Sequence, residues 1–111
     1  MRKFYLQLLW LLVSGVAVSQ TKVYSVIGSS TAAGMGATVP DSNWVNRVTH
    51  YYQSLGLTIV AHNLAVGGRI CYHGMPNGYI PPPDRDYPQT NENITKALSF
   101  SPDVVIVSYP T

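Results

Sequence analysis

The chain has 111 residues, with 7 basic and 5 acidic side chains, 3 histidines and a single cysteine, a length that fits one small domain. Arg2 and Lys3 sit in an N-terminal stretch of their own, and the other bases (Lys22, Arg47, Arg69, Arg85, Lys96) balance Asp41, Asp84, Asp86, Glu92 and Asp103. With no basic stripe to neutralise phosphates, no nucleic-acid partner is expected. Cys71 stands alone and neither CxxC nor HExxH spacing occurs, so neither an intrachain disulfide nor a metal or organic cofactor is expected.

Arg2 and Lys3 precede an apolar run, Phe4 to Val18, interrupted by Gln7, Ser14 and Gly15. Ala17-Val18-Ser19 then puts small residues where a signal peptidase reads, with Gln20 opening the mature chain. This succession is that of a secretory signal peptide. The rival is a retained membrane anchor, but Phe4 to Val18 falls short of the ~20 residues a spanning helix needs. The expected organisation is therefore a leader over 1–19 and one domain over 20–111. The product would be secreted or periplasmic, without stable membrane insertion. No Cys follows the cleavage point to carry a lipid.

Lys22 to Ile27 (KVYSVI) is short and β-branched and runs into Gly28, which predicts a first strand. Asp41-Ser42 offers caps for a first helix, in which Trp44, Val45, Val48, Tyr52 and Leu55 recur at helical spacing until Gly56. Leu57 to His62 predicts a second strand. Thr90 is placed to cap a second helix through Glu92, Ile94, Ala97 and Leu98, stopped by Pro102. Val104 to Tyr109 (VVIVSY) predicts a third strand, and its unbroken apolar run predicts burial on both faces. Strand, helix, strand, helix, strand is the order of an α/β parallel sheet. Gly67 to Gln89, rich in Gly, Pro and Tyr, is a long connection of the kind that is functional or disordered. Its Pro81 to Pro83 run cannot be a central strand.

Ligands of parallel sheets bind beyond the carboxyl ends of the strands. Gly28 to Gly36, Asn63 to Gly68 and Pro110-Thr111 fall there. In IGSSTAAGMGA, Gly28 allows a sharp turn and Ser30 lies at the mouth of the sheet with its own N–H free, suited to an oxyanion. The plain alternative is a polar turn that caps a helix. Phosphate binding is not indicated, because neither GxxxxGK[ST] nor GxGxxG is present.

Gly28-Ser29-Ser30-Thr31-Ala32-Ala33-Gly34 resembles the GDSxTxG nucleophile block of the SGNH/GDSL serine hydrolases. Asn63-Leu64-Ala65-Val66-Gly67-Gly68 is similar to that family's N-x-x-x-x-G segment, and PDVVIVSYPT (Pro102 to Thr111) to the strand that leads into its GxND block. The resemblance spans the mature chain but only the front half of a typical member. It implies a three-layer, flavodoxin-like sandwich of which about three strands and two helices are represented. It also implies hydrolysis of carboxylic esters through an acyl-serine, with Ser30 as nucleophile and the Gly68 N–H as oxyanion donor. The oxyanion Asn and the Asp-x-x-His pair would follow Thr111. The chain departs from the pattern at Ser29, where Asp is usual, at Ala32, and at Tyr109-Pro110, where Gly is usual.

A serine hydroxyl needs a base within hydrogen-bond reach. His50 falls on the first predicted helix and His62 ends a strand, which leaves His73, in the long loop with no carboxylate evidently placed to orient it. Arg69, Tyr72, Tyr79 and Tyr87 are expected to shape a cleft for a small-molecule, carbohydrate or lipid ester. Asn93-Ile94-Thr95 fits a glycosylation acceptor in a eukaryotic setting. The other function open at this point is a catalytically inactive secreted fragment or binding module that uses the aromatic loop.

Overall fold

The structure, a computed structural model, describes residues 20–110. The expected leader over 1–19 and residue 111 lie outside the described residues.

Three parallel strands form the sheet: β1 (Lys22–Gly28), β2 (Ile59–Asn63) and β3 (Val104–Ser108), in the order β2-β1-β3. Lys22 pairs with Ile59 on one side of β1, and Tyr24 with Val104 on the other. A short helix α1 (Ser30–Ala33) follows β1, and α2 (Trp44–Ser54) leads towards β2. The connection to α3 (Ile94–Leu98) contains a 3-10 turn, Cys71–Gly74.

Successive strand residues point to opposite faces, and two of them in β1 show what covers each face. The Tyr24 hydroxyl donates to the Val45 carbonyl at 2.9 Å and meets Thr49 Oγ1 at 2.7 Å, both on α2. The next residue, Ser25, donates to the Ala97 carbonyl of α3 at 3.0 Å. The sheet is thus an α/β sandwich with α2 on one face and α3 on the other. The core gathers on the α2 face: Tyr24, Val26, Ala32 and Val45 are buried, with Trp44, Ile59, Ala61, Ala65 and Ile106 against them.

The burial expected of the third strand belongs instead to β1. No described strand pairs with the outer edge of β3, and Val104 and Val107 stay 55% and 62% exposed. A groove flanks β3 on each face. One, of about 280 Å³, lies between Ile27, Val107, Tyr109 and the 71–76 turn. The other, of about 290 Å³, lies between Val104, Ile106 and α2. The apolar stripe of α2 is likewise buried chiefly at its first turns, since Tyr52 and Leu55 are exposed.

Both expected helix caps move by one to three residues. Asp41 and Ser42 form a 3-10 turn with Pro40, and Asn43 caps α2 by accepting the Asn46 N–H at 2.8 Å. Thr90 does not cap α3; Asn93 does, accepting the Lys96 N–H at 3.0 Å. An asparagine carboxamide competes well for these orphan donors, so Asn43 and Asn93 start the two helices. Strand boundaries also shift: β1 runs on to Gly28, β2 starts at Ile59 and ends at Asn63, and β3 ends at Ser108.

Gly28 is where backbone proximity dictates the residue. A Cβ placed there would sit against the Ser108 carbonyl oxygen and carbon. Gly28→Ala should therefore force β1 and β3 apart at their carboxyl ends. The expected cost is about 1–3 kcal/mol, or roughly 10 °C in the thermal midpoint of a domain this size. Gly67→Ala, which meets only the mobile tip of Met35, serves as control. Thermal unfolding followed by circular dichroism checks both, and equal midpoints would contradict the close approach.

Candidate functional site

Three loops leave the carboxyl ends of the strands, and hydrogen bonds join them. The Ser29 N–H donates to the Ser108 carbonyl at 3.0 Å, closing the β1–β3 side. On the other side, the Leu64 N–H donates to Val26 and the Val66 N–H to Gly28, at 2.8 and 3.2 Å, so the strand pairing extends into the Asn63–Gly68 segment. The Asn63 carboxamide bridges the same two loops. Its Nδ2 donates to the Ala32 carbonyl at 2.7 Å, while its Oδ1 accepts the Ala65 N–H at 3.1 Å.

Ser30 opens α1 and is half-buried, whereas Ser29 is 6% exposed and sits beneath it. The Ser30 carbonyl accepts the Gly34 and Met35 N–H groups. Gly34 turns the chain with φ 97°, and a Cβ there would strike Asn43. Gly68 is exposed with φ 80°. Among the described residues the Ser30 and Gly68 N–H groups donate to no protein acceptor. Both therefore remain available to a ligand oxygen. Ser30 follows the carboxyl end of β1 within two residues, and Gly68 closes the segment that continues from β2.

The long connection is stitched rather than loose. Arg69 engages Glu92 with two donors, Nη2 to Oε1 at 3.0 Å and Nε to Oε2. Hydrogen bonding from Arg69 holds the Glu92 carboxyl below the usual carboxylate range, against the opposing effect of desolvation. The stabilisation from this pair is present above the ordinary glutamate pKa and is lost as pH falls through the lowered value. Arg69 is thus a brace for the loop, not a free cleft residue. Tyr109 lies over Gly74, where a Cβ would collide with its ring, and burial pushes its phenol up. Tyr72 stands 5.7 Å from the Arg85 guanidinium, Tyr79 is half-buried, and Tyr87 is 65% exposed.

His73 departs most from expectation. It is 8% exposed, and a carboxylate does reach it: Nε2 lies 3.3 Å from Asp86 Oδ2. Its Nδ1 accepts the Ile70 N–H at 2.9 Å, and its carbonyl accepts the Gln89 N–H. With Nδ1 an acceptor, the ring proton belongs on Nε2, facing Asp86. Both nitrogens hold the loop together, and neither remains for Ser30. His62 stacks on Phe100 with centroids 3.9 Å apart, and His50 is exposed on α2.

Asn93 is wholly buried, with Nδ2 donating to Asn77 Oδ1 at 2.6 Å. The folded chain therefore gives no access to the Asn93-Ile94-Thr95 acceptor. Among the described residues no group of three or more His, Cys, Asp or Glu is placed to hold a metal ion, and no helix is long and apolar enough to cross a membrane.

These features define a parallel α/β protein with a serine-bearing turn and a glycine-bearing loop joined at the carboxyl end of its sheet. Comparison with protein-family models, curated proteins and solved structures returned no match.

Proposed function

We propose that the chain is the front part of an SGNH/GDSL-type serine esterase. In this reading Ser30 Oγ attacks the acyl carbon, the alcohol leaves, and water then releases the acid from the acyl-serine. The N–H groups of Ser30 and Gly68 receive the oxyanion. The observation that carries the reading is the joining of the Gly28–Gly34 and Asn63–Gly68 segments at one end of the sheet, with both of these N–H groups unpaired among the described residues. The strand order β2-β1-β3 supports it as well. It equals the first three strands of the flavodoxin-like order, whose ligands sit at the switch point between β1 and β3. The base and the oxyanion Asn would come from the blocks that the resemblance places after Thr111. The substrate class is a carboxylic ester of a carbohydrate or a lipid. The test is Ser30-dependent hydrolysis of p-nitrophenyl acetate by the full-length protein, and turnover that survives Ser30→Ala removes the assignment.

A second reading, a secreted binding module without catalysis, is favoured by one observation. None of the three histidines offers Ser30 a base: His73 is engaged at both nitrogens, His62 is stacked and His50 is exposed on α2.

Export accompanies either reading. Mass spectrometry of material secreted by a host with a Sec pathway should find Gln20, free or cyclised, at the N-terminus. An intact leader retained in the membrane fraction would contradict it.

A further inference from the structure

We propose that Asn63 is a positioning residue, whose carboxamide locks the Ser30 turn to the Gly68 loop so that the Ser30 hydroxyl and the Gly68 N–H address one carbonyl group. The purpose of this lock rests on the esterase reading; the lock itself rests on hydrogen bonds alone.

Helix α1 is a single turn, and its carbonyls need partners from elsewhere. The Gly34 N–H serves Ser30 and Thr31, and the Met35 N–H serves Ser30 again. The carbonyl of Ala32, a residue with no exposed surface, receives no backbone N–H beyond the helix. Asn63 Nδ2 fills that vacancy at 2.7 Å from the end of the neighbouring strand, 31 residues away in sequence. The other half of the same carboxamide accepts the Ala65 N–H at 3.1 Å and shapes the bend that leads to Gly68. One planar group therefore fixes the turn that starts at Ser30 and the loop that ends at Gly68.

Few side chains can do both. Aspartate keeps the acceptor for Ala65 but turns a second negative oxygen towards the Ala32 carbonyl. Alanine loses both contacts. Glutamine is longer by one methylene and displaces the amide. The β1–β2 ladder does not depend on this side chain, because Leu64 and Val66 donate from the backbone to Val26 and Gly28. Removing the lock should leave the sheet in place and let α1 drift against the Gly68 loop. A misplacement of about 1 Å at a reacting centre costs ~10²-fold in rate.

The test compares the full-length protein with its Asn63→Asp and Asn63→Ala variants in ester turnover and in amide hydrogen exchange. Both variants should lose ~10²-fold in kcat with KM changed little. Exchange should quicken at Ala33 and Met35 while Leu64 and Val66 keep their protection. A kcat that is unchanged, or that falls only in proportion to the folded fraction, overturns the proposal. So does unchanged exchange at Ala33 and Met35. Ser30→Ala in the same assay separates the two claims. If the parent shows no Ser30-dependent turnover, the esterase reading fails, and the exchange pattern alone decides whether Asn63 locks the two segments.

Discussion

Ser30→Ala in the full-length protein should lower ester turnover by ~10⁴-fold or more, the scale on which serine hydrolases lose activity when the nucleophile is removed. Ser29→Ala should leave most of the turnover. The two serines are neighbours, so the contrast depends on what each one touches. Ser29 is 6% exposed, and its N–H closes the sheet against Ser108. Ser30 starts the turn that follows, half-buried, with its own N–H unpaired among the described residues. Of the two serines, only Ser30 combines a hydroxyl with an N–H unpaired among the described residues, the pair that the proposed attack and oxyanion would use. Steady-state kinetics on an activated ester separates the two variants, and equal losses would contradict the assignment. The Ser29 side chain makes no cap hydrogen bond to α1, so Ser29→Ala removes no helix cap, and the folded fraction of each variant, read by circular dichroism, normalises the comparison.

The second large effect concerns the 111-residue chain on its own. Among the described residues no histidine is placed to serve Ser30 as a base: His73 holds the loop with both ring nitrogens, His62 is stacked on Phe100 and His50 is exposed on α2. Turnover should therefore not exceed the residual ~10³–10⁴ over water that oxyanion donors and binding supply without a triad. The same chain should also self-associate. Among the described residues the outer edge of β3 is unpaired and carries no charged side chain, Val104 and Val107 are more than half exposed, and an apolar groove flanks each face. An uncharged, apolar, β-branched edge is a template for pairing with another chain. Size-exclusion chromatography of the mature chain should show oligomers or loss on the column. Val107→Lys, a charge at that edge, should shift material towards monomer. A monodisperse parent with brisk Ser30-dependent turnover would show that a base is present after all.

The parts of the fold legible in the sequence were those with local causes. KVYSVI before Gly28, the spacing of Val45 and Val48, and Pro102 before VVIVSY each carry their own signal, and the three strands and two main helices follow from them. What depends on tertiary partners was not legible. Burial of a strand is set by its neighbours, so VVIVSY reads as buried on both faces although Val104 and Val107 stay more than half exposed and β1 holds the buried centre. The caps passed from Asp41-Ser42 and Thr90 to Asn43 and Asn93 because a run of several capping residues does not say which one the packing selects. Ser30 and Gly68 could be placed because each follows a strand end. The Asn63 bridge to Ala32, the Arg69–Glu92 brace and the Asp86 partner of His73 join residues distant in sequence. Asn63 gave one local hint, since Asn at the head of a bend commonly accepts an N–H two residues on. The donor side of its carboxamide had no such sign.

Reaction of the full-length protein with a fluorophosphonate, followed by peptide mapping, tests the central claim most directly. A phosphonate reacts with a serine that its surroundings have activated, and it forms a stable adduct in place of the acyl-enzyme. A single adduct on Ser30, absent from Ser30→Ala and retained in Ser29→Ala, is the predicted result; an adduct on Ser29 or on any other serine would contradict the account.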